Sequence, residues 1–282
     1  MSNVVHAPLL PANGAMIPAI GLGTYRTKGT DCARAVATAL SIGYRHIDTA
    51  AMYENEADVG AGIRAAGLPR DEVFLTTKVW AANIGAGDLQ QSARDSLTRL
   101  GLDHVDLLLI HWPNRDIPLE ASIAALCDAK RQGLARHIGV ANFPSAMLAQ
   151  ATRIAAGHGE KIATNQCEYH PRLDQAKLIA ACRAPGVLFV SYCPVGQGNM
   201  ANDPDIAAIA GRIGKTPAQV VLRWHVQQAG VAAIPKSSRR EHMIENLGVF
   251  DFTLSDADMR SLFALASPQG RLVRPGFAPA WD

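Results

Sequence analysis

Short apolar runs alternate with helical patterns along most of the chain. Most of these runs are apolar on both faces, as expected for parallel strands that are covered by helices. Eight such strands alternating with helices predict an α/β protein of the closed (β/α)8 TIM barrel type. The predicted strands cover residues 19–23, 44–48, 73–78, 105–111, 137–141, 162–167, 187–192 and 231–235.

The segments between the strands carry helix signals. Apolar residues keep helical spacing over residues 89–100. Asp31 is predicted to open a helix that stops at Gly43. Thr216 is predicted to cap a helix that has proline at its first position and Gly230 just past its end. Ahead of the first barrel strand, the dipeptide Asn13–Gly14 predicts an N-terminal β-hairpin.

The composition indicates the class of protein. Of the 282 residues, 48% are hydrophobic and 18% are charged, as in an ordinary globular protein. No low-complexity tract or Pro/Gly/Ser-rich linker divides the chain, so we expect one domain over residues 1–282. The 27 Lys and Arg residues nearly balance the 25 Asp and Glu residues, and the net charge of +2 predicts no nucleic-acid partner.

The cysteines and the N-terminal segment bear on the compartment. The five cysteines form no CxxC pair and no zinc-type spacing with histidine, so we expect small buried thiols, no metal site and a reducing environment. The segment MSNVVHAPLLPANG has no charged region followed by a long apolar one, and no stretch approaches the length of a membrane span. The sequence therefore predicts a cytoplasmic protein that does not bind membranes.

Polar residues stand at the ends of seven consecutive predicted strands. The carboxyl ends of the strands in a parallel barrel meet on one face, and (β/α)8 enzymes carry their active sites there. The seven residues are Asp48, Lys78, His111, Asn142, Gln166, Tyr192 and Lys236.

Four residues of this face can form a proton-transfer set. Tyr53 follows Asp48 by five residues. A lysine ammonium near the phenol favours the phenolate, and Asp48 can keep that lysine charged. Taken singly, these residues have ordinary explanations, since an Asp after a strand is often a helix cap and a lone His is commonly satisfied in the core. Their convergence on one face favours catalysis by Asp48, Tyr53, Lys78 and His111.

Eight ordered motifs resemble those of a known family over essentially the whole chain. They are GLGTY, HIDTAAMYENE, TTKVW, LLLIHWP, IGVANF, NQCEYHP, SYCPVGQG and IPKSS. With them the chain resembles the aldo-keto reductase superfamily. The ending RLVRPGFAPAWD and the short loops are similar to the bacterial 2,5-diketo-D-gluconate reductase B branch, which also reduces methylglyoxal.

The resemblance implies an enzyme class and a role for each catalytic candidate. It implies a monomeric NADPH-dependent oxidoreductase that reduces small aldehydes, ketones and α-dicarbonyls to alcohols by hydride transfer. Tyr53 matches the general acid that protonates the carbonyl oxygen. Lys78 and Asp48 match the pair that tunes the pKa of this acid, and His111 matches the residue that orients the carbonyl.

The cofactor residues are also implied by the resemblance. Asn142 and Gln166 match the groups that hold the nicotinamide carboxamide, and Tyr192 matches the ring that stacks on the nicotinamide. The adenosine end of NADPH is expected at Lys236, Ser237, Arg240, His242 and Asn246.

Two positions depart from the pattern of the family. Ala141 stands before Asn142 where many members have Ser, so we expect one hydrogen bond to the cofactor to be missing. His242 stands where many members have an Arg that stacks on adenine and contacts the 2′-phosphate. We therefore expect the preference for NADPH over NADH to be weaker here, although Arg239 and Arg240 lie close by.

Aromatic residues beside the strand ends are candidates for the substrate pocket. Tyr25, Trp80 and Trp112 adjoin the motifs, and aromatic walls suit a site that excludes water from a hydride transfer. Core or rim packing is the alternative for each of them. Trp281, near the C-terminus, either closes the mouth of the barrel as part of a C-terminal tail or simply anchors that tail.

Other functions are less well supported by the sequence. GLGTYR has Arg26 where a Rossmann fingerprint needs Gly, and GRIGKT has Ile209 where a P-loop needs its first Gly. A metal-dependent barrel hydrolase commonly carries His-x-His, which this chain lacks. A non-catalytic barrel that binds NADPH as a sensor or subunit remains open, and NADPH oxidation with a carbonyl compound distinguishes it from an enzyme.

Overall fold

Ten strands and ten α-helices make up the regular structure of residues 6–282, which are the residues described by the computed structural model. The strands are β1 (Leu9–Ala12), β2 (Ala15–Pro18), β3 (Leu22–Gly23), β4 (His46–Asp48), β5 (Phe74–Val79), β6 (Val105–Ile110), β7 (Ala135–Ala141), β8 (Ile162–Glu168), β9 (Leu188–Tyr192) and β10 (Val231–Ala233). The helices are α1 (Gly29–Ile42), α2 (Glu56–Ala66), α3 (Asp88–Leu100), α4 (Leu119–Arg131), α5 (Ser145–Gly157), α6 (Ala176–Arg183), α7 (Pro204–Ile213), α8 (Pro217–Val226), α9 (Arg240–Leu247) and α10 (Asp256–Phe263).

The strands β3 to β10 form one parallel sheet in chain order. Single residue pairs close it, because Ile20 pairs with Ala233 and Gly23 pairs with Lys236. Only glycine fits at Gly23, since a Cβ there would lie 2.9 Å from the carbonyl oxygen of Ile234. The predicted (β/α)8 TIM barrel is therefore confirmed. Gly23 of the GLGTY motif permits the close backbone approach at the seam that closes it.

The strands at the seam are shorter than predicted. The runs 19–23 and 231–235 contribute only Leu22–Gly23 and Val231–Ala233 as continuous strands, because the remaining seam contacts are isolated pairs. The run 44–48 likewise contributes only its last three residues.

Two helix boundaries also differ from the prediction. Helix α1 begins at Gly29 rather than Asp31, since Asp58 of α2 accepts a hydrogen bond from the Gly29 N–H at 2.6 Å. Thr216 caps α8 as predicted, with its side chain accepting from the Gln219 N–H. That helix ends at Val226, however, and Gly230 lies beyond it in the turn before β10.

The predicted N-terminal hairpin is present and packs on the barrel. Strands β1 and β2 are antiparallel, and Asn13 and Gly14 have φ angles of 48° and 97°, as a tight hairpin turn requires. The Asn13 side chain donates to the carbonyl oxygen of Ile162 at 2.7 Å. The hairpin is thus fixed to the beginning of β8, opposite the face on which the strands end.

Two apolar cores hold the barrel together. The larger core lies between the strands and the helices. The smaller one joins the hairpin to alternate positions of the strands, as expected for a filled barrel interior. Its buried members are Ala12, Ala15, Ile17, Leu107, Leu109, Ala141, Ala163, Leu188, Val190, Ala232 and Ile234. This packing fixes the strand ends on which the polar residues stand.

The expectation about the cysteines holds for four of them. Cys32, Cys127, Cys167 and Cys182 are buried free thiols, whereas Cys193 is only half-buried because it follows the end of β9 on the polar face. Within residues 6–282, no helix combines the length and the apolar character that crossing a bilayer requires.

Candidate active site

The carboxyl ends of β4 and β5 bring an acid, an amine and a phenol together. Lys78 Nζ donates to Asp48 Oδ1 at 2.5 Å and to the carbonyl oxygen of Thr49 at 2.8 Å. The same nitrogen lies 3.4 Å from the Tyr53 hydroxyl. The side chains of Lys78 and Asp48 are 0% and 1% exposed, so bulk water solvates neither charge. The Asp48 carboxylate, costly in a buried strand by itself, is paired.

The Tyr53 phenol holds its proton more tightly than the sequence predicted. Removal from solvent raises the pKa of Tyr53 well above its ordinary value, and the nearby charge of Asp48 adds to the increase. Burial also lowers the pKa of Lys78, against the pull of Asp48. In the free protein, burial therefore outweighs the attraction of the lysine for a phenolate, and the phenol stays protonated. A protonated phenol is the form that can donate a proton.

A short buried network positions the turn that carries Tyr53. Asn55 Nδ2 donates to the carbonyl oxygens of Thr24 and Thr27, at 2.9 and 2.8 Å. Asn55 Oδ1 accepts from the Thr49 hydroxyl at 2.7 Å. The segments after β3 and β4 are thereby tied together. This positioning residue was missed by the sequence prediction, although it lies inside the HIDTAAMYENE motif.

His111 stands beside the phenol at the end of β6. Its ring centroid lies 5.7 Å from that of Tyr53 and 5.4 Å from that of Trp80, both edge to face. Burial lowers the pKa of His111 well below its ordinary value, and the charge of Lys78 adds to the decrease. The imidazole is therefore neutral at neutral pH, and one of its nitrogens can donate a hydrogen bond while the other accepts.

The amides of β7 and β8 meet the same cluster. Gln166 Nε2 donates to Asp48 Oδ2 at 2.7 Å, so Gln166 belongs to the acid's own network as well as to the predicted cofactor set. Asn142, at the end of β7 with a φ of 64°, donates through Nδ2 to the carbonyl oxygen of His111 at 2.9 Å. Its Oδ1 accepts from the Tyr192 hydroxyl at 2.8 Å. Each amide keeps a second N–H, which suits a ligand carboxamide.

The predicted adenosine segment lies after β10 and runs into α9. Lys236, Arg240 and His242 are exposed, Ser237 is half-buried and Asn246 is buried. Within residues 6–282, no carboxylate forms a salt bridge with Lys236, Arg239 or Arg240. Three cations without an internal partner fit a phosphate group.

Aromatic rings lie near Tyr53 and His111, where the sequence predicts a substrate pocket. Tyr25 is 44% exposed and its ring lies 5.0 Å from that of Tyr53 at an interplanar angle of 52°, whereas Trp112 is only 4% exposed. Phe277 lies 5.7 Å from Trp80 and 5.6 Å from Trp112. Phe277 was missed by the sequence prediction, although it lies in the ending RLVRPGFAPAWD next to Trp281.

The C-terminal residues lie over this mouth, as predicted. Trp281 is half-buried and its ring lies 6.2 Å from that of Trp112. A cavity of about 760 Å³ lies between this tail and α6, but none of the seven strand-end residues lines it. No group of three His, Cys, Asp or Glu side chains in residues 6–282 is arranged to hold a metal ion.

Comparison with known proteins decides the family. The profile of the Aldo/keto reductase family matches residues 19–266, which is most of the chain. The chain belongs to this family. The eight motifs of this aldo/keto reductase therefore reflect a true relationship.

Similar proteins extend over nearly the full length of this aldo/keto reductase. A protein of Escherichia coli O157:H7 named methylglyoxal reductase DkgB is 43% identical over 269 residues, covering 94% of this chain and 99% of its own. The crystal structure of a candidate 2,5-diketo-D-gluconic acid reductase B is 44% identical and has a TM-score of 0.94, with 99% of this chain and 98% of that chain covered. A Bombyx mori aldo-keto reductase in complex with NADP is 32% identical and has a TM-score of 0.87, with 96% of each chain covered.

Proposed function

We propose that this aldo/keto reductase uses NADPH to reduce small aldehydes, ketones and α-dicarbonyls to alcohols. The observation that carries the proposal is the contact of Lys78 with both Asp48 and the Tyr53 hydroxyl, beside a neutral His111. A protonated phenol beside an uncharged hydrogen-bonding ring supports proton transfer to a carbonyl oxygen at this point of the barrel face. The names of two similar proteins, methylglyoxal reductase and candidate 2,5-diketo-D-gluconic acid reductase B, support dicarbonyl substrates.

The residues present fit NADPH. The free cations of the 236–240 segment suit the 2′-phosphate, and the amides of Asn142 and Gln166 suit the carboxamide. The half-buried Tyr192 offers an aromatic face beside them. The bound NADP of the similar Bombyx mori protein supports this choice of cofactor. When bound, the reduced nicotinamide supplies the hydride.

Each residue of the site has a distinct task in this proposal. Tyr53 donates its proton to the carbonyl oxygen as negative charge develops there, and Lys78 restrains the phenol and stabilises the phenolate that remains. His111 orients the carbonyl oxygen toward Tyr53 by hydrogen bonding. The aromatic walls formed by Tyr25, Trp80 and Trp112 exclude water. The proposal also includes a single-domain, monomeric enzyme in the cytoplasm, and gel filtration tests the monomer.

NADPH oxidation, followed spectrophotometrically with and without methylglyoxal, tests the proposal. We expect oxidation that depends on the carbonyl compound, with formation of the corresponding alcohol. NADPH binding without turnover across a panel of aldehydes, ketones and dicarbonyls would instead support a sensor or subunit. The absence of both binding and turnover would contradict the proposed cofactor as well.

A further inference from the structure

The last twelve residues form a strap, defined as residues 271–282, that crosses the mouth of the candidate active site. The residue before the strap, Gly270, packs closely against the backbone of Arg172. A Cβ at this position would lie 1.6 Å from the carbonyl oxygen of Arg172. The far end of the strap is held where Asp282 Oδ2 accepts from the Ser145 N–H at 2.9 Å and from the Ser145 hydroxyl at 2.8 Å. Between these points the strap carries Phe277 to the aromatic pocket.

A buried carboxylate at the end of β8 holds the beginning of the strap. Glu168 is 0% exposed, and its two oxygens accept from the N–H groups of Leu272 and Val273 at 2.6 and 2.9 Å. His170 Nε2 lies 3.1 Å from the same carboxylate. Although burial disfavours the charge, these hydrogen bonds hold the pKa of Glu168 below its ordinary value. Bonds from N–H groups to an ionised carboxylate are the stronger kind.

The strap reaches the pocket from this anchor through packed rings. The Arg271 guanidinium lies 3.7 Å above the ring of Trp281, so the two ends of the strap contact each other. Trp281 packs on Trp112, and Phe277 packs on both Trp112 and Trp80. Trp80 in turn contacts His111. Movement of the strap therefore changes the wall next to the imidazole, while Lys78 and Asp48 lie below it.

We infer that Glu168 is a positioning residue for substrate binding, because its carboxylate fixes the strap that places Phe277 and Trp281 over the mouth. The part of this inference that concerns substrate rests on the proposed reductase function. The part that concerns the anchor does not. Loss of the carboxylate leaves the N–H groups of Leu272 and Val273 without this acceptor and frees the strap.

Limited proteolysis tests the anchor without any substrate. Of the two arginines in the strap, Arg274 precedes proline, so trypsin can cut the strap only after Arg271. We expect Glu168→Ala to lose residues 272–282 to trypsin at least roughly tenfold faster than wild type, because the local opening is more populated. Glu168→Gln, which keeps an acceptor oxygen, should be intermediate. The control is Glu160→Gln, a partly buried carboxylate two residues before the same strand. Equal cleavage rates in wild type and Glu168→Ala would overturn the anchor.

Steady-state kinetics of Glu168→Ala, of a truncated chain and of the two changes combined test the effect of the strap on substrate binding. We expect Glu168→Ala and a chain ending at Arg271 each to raise KM for methylglyoxal by roughly tenfold, with a smaller change in kcat. Combining the two changes should add nothing, because Glu168 acts through the strap. Additive losses in the combined variant, or an unchanged KM in both single variants of an active enzyme, would overturn the positioning role. A wild type without reductase activity would refute the proposed function and leave the proteolysis result intact.

Discussion

Lys78 Nζ lies 2.5 Å from Asp48 Oδ1 in a region from which both side chains are almost completely excluded from solvent. Each charge is tolerable there only because the other is present. The carboxylate also accepts from Gln166, and the ammonium also reaches Tyr53. The pair therefore links the stability of the barrel mouth to the chemistry proposed for it.

Lys78→Met should damage both stability and activity. It leaves the Asp48 carboxylate buried in the barrel without a charge partner, so we expect the free energy of unfolding to fall by about 3–5 kcal/mol. Adding Asp48→Asn should restore much of the stability but not the activity, because the stranded charge disappears while the ammonium is still missing. Asp48→Asn alone should lose less activity than Lys78→Met. Urea denaturation and steady-state kinetics measure both effects. Full activity in the double variant would rule out a catalytic role for Lys78.

The cations after β10 should distinguish NADPH from NADH. Lys236→Ala and Arg240→Ala should each weaken NADPH binding by about tenfold to a hundredfold, because charge-assisted hydrogen bonds to the 2′-phosphate are lost. The Kd for NADH should barely change. His242→Arg should strengthen the preference for NADPH. Fluorescence titration with both cofactors gives the values, and Arg34→Ala on α1 is the control. Equal losses for the two cofactors would show that these residues do not contact the 2′-phosphate.

His46 should make the protein sensitive to mild acid. Burial lowers the pKa of His46 to about 4, against an ordinary value of about 6.5. Between these values the unfolded chain binds a proton that the folded chain does not, so stability falls as the pH falls through this window. Across this window the free energy of unfolding is expected to fall by an amount on the order of 3 kcal/mol. The fall is complete near pH 4.

Replacement of His46 tests this pH dependence directly. His46→Gln should flatten the plot of unfolding free energy against pH between about 6.5 and 4, whatever its effect on stability at neutral pH. His158→Gln, at an exposed position after α5, is the control. An identical slope in wild type and His46→Gln would show that this histidine is not kept neutral by the fold.

Much of the fold and part of the site were predictable from local patterns. Strands apolar on both faces give the barrel, and the rule that strand ends meet on one face groups Asp48, Lys78 and His111. The contact of Gln166 with Asp48 was not predictable, because β4 and β8 are distant in sequence and meet only through the curvature of the closed sheet. The raised pKa of Tyr53 depends on how far the phenol is removed from solvent, which residue spacing does not determine.

The role of Glu168 shows a similar limit. The motif NQCEYHP contains this acid, but its partners are backbone N–H groups of Leu272 and Val273. Backbone donors cannot be recognised from the pattern of side chains, so the sequence alone does not identify a partner for the Glu168 carboxylate. Phe277 was missed for a related reason, since the tail around it has no periodicity that indicates a face.

Single-turnover reduction of methylglyoxal by wild type and Tyr53→Phe tests the central claim that Tyr53 supplies the proton. The substitution removes only the phenol hydroxyl, while the ring contacts with Tyr25 and His111 are kept. We predict that the rate of NADPH oxidation falls by at least about 10²-fold, as is typical when a general acid is lost, while the Kd for NADPH stays nearly constant. Tyr169→Phe, which also removes a largely buried hydroxyl, should react at nearly the wild-type rate. A Tyr53→Phe protein that keeps more than about a third of the wild-type single-turnover rate would contradict the assignment of Tyr53 as the acid.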